Sequence, residues 1–172
     1  FIRLAKAGGY YDNRIFVVFG DHNTGISQIP RMPPAFEQLG LESNHVPMLI
    51  HAPGLLKPKV IDQAVGLADL LPTVAGMAGI PFTNGAMGRD IQQPPPEGER
   101  VVPLVLREGT FPLIGGVTRH HLLQMQHDGS NPTLHDLRSL TPLENVAEQN
   151  PQEYQRLVEL TRGMHETSRL ML

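Results

Sequence analysis

A continuous apolar run at residues 15–19, closed at once by Gly20-Asp21-His22, constrains this chain more than any other feature. Five β-branched or aromatic residues without alternation read as a strand buried on both faces. Such strands are typical of a parallel sheet with helices packed on each side. In open sheets of that kind, ligands bind beyond the carboxyl ends of the strands. An acid and an imidazole therefore stand where such a fold does its chemistry.

The flanking segments agree with an α/β class. Residues 1–7 read as the last turns of an amphipathic helix, with Phe1, Leu4 and Ala5 on one face and Gly8-Gly9 at its end. A short helix is expected over residues 35–39, and a second strand over 46–52, with Pro47 at a strand end or edge. Asp69 is expected to cap a helix over 69–78 that holds Pro72 in its first turn and stops at Gly79. Pro94-Pro95-Pro96 makes residues 92–98 a stiff connector. Strands are expected over 101–106, 111–117 and 120–126, the last two joined by a short turn. Asn150, Pro151 and Glu153 spell a capping-box start for a final helix. In it Tyr154, Leu157, Val158, Thr161 and Met164 recur at helical spacing. The order predicts two parts: an α/β unit over 1–92, and antiparallel strands plus a terminal helix over 93–172.

Composition excludes several function classes. The 172 residues, 40% of them hydrophobic and 18% charged, suit an ordinary folded domain rather than a disordered chain. A net charge of -3 with scattered Lys and Arg argues against a nucleic-acid partner. With no cysteine there is no disulfide, thiolate ligand or cysteine nucleophile. No apolar run approaches the ~20 residues of a membrane span. The chain opens at Phe1, in what reads as mid-helix, so any membrane anchor or export signal is expected upstream.

Asp21 and His22 pair a hard oxygen with an imidazole nitrogen, a combination suited to Zn²⁺ or Mn²⁺. The plainer alternative is an Asp capping the next turn beside an exposed His. Thr24 and Ser27, in the loop that follows, offer hydroxyls to a bound anion, or belong to an ordinary polar loop. His45 precedes the second strand, either as a surface residue or as a ligand reaching the same sheet edge as His22. His51 reads as a half-buried histidine satisfied by backbone. Asp69 reads as a cap, and Lys57 and Lys59 as solvated loop residues. No P-loop, nucleophile elbow, HExxH or dinucleotide fingerprint is present.

Taken in order, the motifs resemble the sulfatase family of the alkaline phosphatase superfamily. The likeness begins with Tyr10-Tyr11-Asp12-Asn13, the strand and Gly20-Asp21-His22. It continues through His45-Val46-Pro47-Met48-Leu49-Ile50-His51-Ala52-Pro53-Gly54 and Ala68-Asp69-Leu70-Leu71-Pro72-Thr73. Gly88-Arg89-Asp90-Ile91 and the Leu134-His135-Asp136-Leu137 segment with Glu144-Asn145-Val146-Ala147 complete it. The Asp-His pair is similar to that of lipoteichoic acid synthases, other phosphoglycerol transferases and phosphonate monoester hydrolases, where many arylsulfatases have Asp-Asn.

That resemblance implies the C-terminal part of an alkaline phosphatase-like α/β/α sandwich with a small antiparallel subdomain. It implies Asp21 and His22 as ligands of a divalent metal (Mn, Zn, Ca or Mg). The remaining ligands and a Thr, Ser or formylglycine nucleophile are expected upstream, which would leave the isolated chain inactive. His45 takes the place of a basic residue before the second strand and is the candidate to steady a non-bridging oxygen or the leaving group. The implied substrate is a sulfate or phosphate ester, and the implied location is extracytoplasmic or membrane-anchored. Two other readings remain: a non-catalytic binding or dimerisation module that keeps the scaffold, and a phosphodiesterase or mutase of the same superfamily.

Overall fold

The computed structural model describes residues 1–23, 32–94 and 98–171. Its elements are α1 (Ile2–Ala7), β1 (Phe16–Phe19), α2 (Pro34–Gln38), β2 (Met48–His51), a 3-10 turn (Leu67–Asp69) running into α3 (Leu70–Ala78), β3 (Val102–Arg107), β4 (Leu113–Val117), β5 (His121–Gln126), β6 (Thr133–Asp136) and α4 (Pro151–Leu170). This is a mixed α/β fold with antiparallel sheets.

β1 and β2 pair antiparallel, Phe16 opposite His51 and Phe19 opposite Met48. The expectation of a strand buried on both faces in a parallel sheet is therefore corrected. Val18 and Leu49, partners on one face, are 64% and 61% exposed. The physical reason lies in where the next helix goes. α2 buries Ala35 and Leu39 against Leu122 and Leu137 of the other sheet, not over β1. α1 covers only one end of the exposed face, where the Phe1 ring meets Phe16 edge-on at 5.7 Å.

The four-stranded sheet runs β3-β4-β5-β6, antiparallel throughout. Period-two alternation sends its apolar residues to opposite sides. Leu122, Leu104 and Val117 meet α2, while Ile114, Leu123, Met125 and Leu134 meet Leu157 of α4. The result is a helix–sheet–helix sandwich whose first core draws residues from both ends of the chain. β6 had no counterpart in the sequence reading.

Helix ends show two corrections. α4 starts at Pro151 as expected, but no side chain caps it. Glu153 instead forms a two-pronged pair with Arg156, both contacts at 2.8 Å, and Asn150 donates its amide to Val146 O. A guanidinium offers the carboxylate two aligned donors, which outcompetes one backbone N–H. Asp69 does not cap α3 with its side chain either. Its carboxylate turns back to accept from Gly66 N at 2.8 Å and from Arg89 N at 2.9 Å, and it pairs with Arg100. α3 does stop at Gly79, whose left-handed φ of 64° few other residues adopt without cost.

Candidate metal centre

The site begins where β1 ends. Gly20 donates its N–H to Pro47 O at 3.1 Å, and a side chain there would press within 3.0 Å of Val46 Cβ. Glycine thus lets the chain leave the strand hard against β2's entry and turn Asp21 and His22 outward. Asp21 Oδ1 accepts the His22 backbone N–H at 2.9 Å. His22 Nδ1 donates to Asn23 O at 3.2 Å, which leaves the lone pair of the neutral ring on Nε2. Asn23 is anchored in turn, its N–H reaching Ser43 O at 2.9 Å.

These bonds aim the two free donor atoms at each other. Asp21 Oδ2 and His22 Nε2 stand 3.8 Å apart, on side chains 83% and 72% exposed. That gap is shorter than two zinc–ligand bonds of ~2.0–2.2 Å, so one cation can touch both. The donor set, one carboxylate oxygen and one neutral imidazole, fits a borderline divalent metal. The hydrogen bond from His22 N, with the nearby imidazole adding a smaller share, holds the Asp21 carboxyl below its usual range. It is therefore ionised at neutral pH. Among the described residues no group of three His, Cys, Asp or Glu could hold a metal ion. The pair offers two donor atoms, fewer than the four of a tetrahedral site.

The other expected residues scatter. Thr24 and Ser27 lie outside the described residues. His45 is exposed; its ring leans on Phe36 with centroids 4.8 Å apart, and its N–H is held by Leu41 O at 3.0 Å. It shares with Asp21 the wall of a large groove of about 1030 Å³. His51 is half-buried as expected, but a side chain satisfies it: Tyr11 Oη lies 2.7 Å from Nε2. Lys6 sits 4.7 Å above the Tyr11 ring. Lys57 and Lys59 are exposed, as expected, and also line the groove.

Residues 1–80 match the family model described as Sulfatase. Lipoteichoic acid synthase-like YvgJ of Bacillus subtilis is 34% identical over 124 residues, covering 64% of this chain and 19% of its own length. The ulvan-active sulfatase of Formosa agariphila is 31% identical over 105 residues, covering 58% of this chain and 20% of its own. The chain thus spans about a fifth of either relative. The crystal structure of lipoteichoic acid synthase LtaP from Listeria monocytogenes shares the fold, with a TM-score of 0.65 at 18% identity over 99% of this chain and 41% of that one. The ordered motifs, the sequence match over the segment that carries Asp21 and His22, and the common fold make this chain similar to the sulfatase family.

Proposed function

We propose that the whole protein is a metal-dependent enzyme that hydrolyses or transfers sulfate or phosphate esters, and that Asp21 and His22 supply two of its metal ligands. The observation that carries this reading is the facing pair Asp21 Oδ2 and His22 Nε2, 3.8 Å apart, within the sulfatase-matched segment. A divalent cation held there would neutralise charge on the ester's equatorial oxygens and lower the pKa of a hydroxyl nucleophile.

The chain's own residues prepare for that chemistry. Asp21 remains ionised because backbone N–H groups stabilise its charge. His22 keeps the tautomer that presents Nε2, because Nδ1–H donates to Asn23 O. His45 stands at the mouth of the groove with an exposed ring, where it can donate to a non-bridging or leaving-group oxygen. In this proposal the remaining ligands and the nucleophile are supplied from upstream of these 172 residues, which on their own would bind metal weakly and turn nothing over. No described helix is long and apolar enough to cross a membrane. An extracytoplasmic or membrane-anchored setting is part of the proposal and rests on the likeness to lipoteichoic acid synthases.

The test is His22→Ala in the full-length protein, assayed with chromogenic sulfate esters and phosphate diesters and by metal content after dialysis. We expect loss of turnover by at least about a hundredfold, the scale on which removal of a direct electrostatic contributor acts, together with loss of bound metal. Activity within a few-fold of wild type with metal retained would end the proposal.

A further inference from the structure

We infer that the groove beside Asp21 and His45 binds the remote part of the substrate, and that this part carries a second anionic group joined to the reacting ester through an apolar spacer. The inference deepens the reading above and rests on it for the position of the reacting ester.

The groove follows β2. Asp21 and His45 flank the end where Phe19 pairs with Met48, and Lys57 and Lys59 follow the turn that leaves the opposite end, beyond His51. Between them the wall is apolar: Met48, Ile50 and Leu56 on one side, Leu104 and Val117 on the other. Four strand residues at ~3.3 Å each make that part of the wall about 13 Å long. A volume of about 1030 Å³ far exceeds what one sulfate or phosphate group fills, and it sits at the top of the range for small-molecule sites.

Charge decides the occupant. Arg119 also lines the groove, but it is neutralised by Asp62. Lys57 and Lys59 form no ion pair among the described residues. In a chain of net charge -3, two uncompensated ammonium groups therefore share one end of an apolar trough. Pro58 restricts the backbone between them, which lowers the entropic cost of ordering this segment on an anion. Both lysines are exposed and hydrated; an anionic remote end would gain a charge contact with them that a neutral one would not.

The experiment uses the full-length protein and two probes, octyl phosphate and octanediol bisphosphate, with binding read by calorimetry. Wild type should prefer the bisphosphate by about tenfold or more, the scale of one good charge contact. The Lys57→Ala/Lys59→Ala variant should bind both probes alike. Equal binding of the two by wild type overturns the inference. So does a preference that survives in the double variant, or protection of both lysines from amine-reactive labelling in the free protein, which would mean that another part of the polypeptide fills the groove. The His22→Ala variant separates the two claims. Its failure to alter turnover or metal content counts against the metal reading alone, since the bisphosphate preference is measured without turnover.

Discussion

Arg100 donates into the Asp69 carboxylate across 31 residues of sequence, and the two side chains are only 7% and 1% exposed. The same carboxylate receives the N–H groups of Gly66 and Arg89. One acid thus ties the start of α3, the Gly88-Arg89-Asp90 turn and the approach to β3 together. Removing it strands a buried guanidinium whose Nε already lacks a partner, together with two backbone donors. Breaking one side of a buried pair costs about 3–5 kcal/mol. Asp69→Ala should lower the urea-unfolding free energy by that amount. Asp69→Ala with Arg100→Met should recover part of it, because no uncompensated charge is left. A loss below about 1 kcal/mol in the single variant would show the pair to be unimportant.

Gly88, beside this hub, has a purely steric reason to be glycine. A Cβ there would overlap the carbonyl oxygen and carbon of Ala68, backbone atoms that cannot swing away. Gly88→Ala should therefore destabilise by about 1–3 kcal/mol, the usual cost of overpacking. Gly85→Ala, whose Cβ would meet open space, should stay within about 0.5 kcal/mol. Thermal melts of the two variants side by side check this, and equal melting temperatures would refute it.

What could be read from the sequence divides along sequence distance. The β4–β5 hairpin, α3 with its Gly79 stop and the 20-residue α4 were legible because period and punctuation are local. β6 was not: within Thr133–Asp136 only Leu134 is a strong apolar residue, and its pairing with β5 supplies what propensity does not. The role of Asp69 was hidden because its partners lie 20 and 31 residues away, and one of them is a backbone N–H with no side-chain signature. The Asp21–His22 pair was legible as a dipeptide, since adjacency alone brings the two together. The hydrophobicity of β1 spoke for covered faces but carried no information on which element covers them.

His135 makes stability depend on pH. Its ring is 7% exposed, with Nδ1 donating to Pro142 O and Nε2 accepting from Thr133 Oγ1, both at 2.9 Å. Burial pushes its pKa below the ordinary value of 6.5, and the backbone acceptors only partly offset this. As pH falls through about 6.5 the unfolded chain takes up a proton that the folded chain does not yet bind. Stability contributed by neutral His135 is therefore full above that pH and declines below it, toward the folded pKa. The carboxylates held low by arginines, Asp136 and Glu153, keep their full contribution down to the unfolded carboxylate pKa of about 4 and lose it only below that, so they add nothing to a difference between about pH 7.5 and about pH 5.5. Urea midpoints at about pH 7.5 and about pH 5.5 should differ in wild type and converge in His135→Gln. The same difference in both chains would remove His135 from the account.

The last prediction concerns which metal the Asp21–His22 pair selects. Imidazole favours borderline metals such as zinc, whereas an amide oxygen suits harder cations such as calcium and magnesium. His22→Asn in the full-length protein keeps a donor atom at the same point of the chain but exchanges nitrogen for oxygen. Asp21 is untouched, and it still accepts the backbone N–H of residue 22, because that bond does not involve the ring. The variant should therefore keep a metal while shifting its preference: after equilibration with equimolar zinc and calcium, the zinc-to-calcium ratio found by elemental analysis should fall about tenfold relative to wild type, the effect of one ligand exchange worth ~1.4 kcal/mol. His22→Ala, with no donor, should lose both. If His22→Asn and wild type hold the two metals in the same ratio, the imidazole is not in the coordination shell, and the 3.8 Å approach of Nε2 to Oδ2 is only a contact between two exposed side chains.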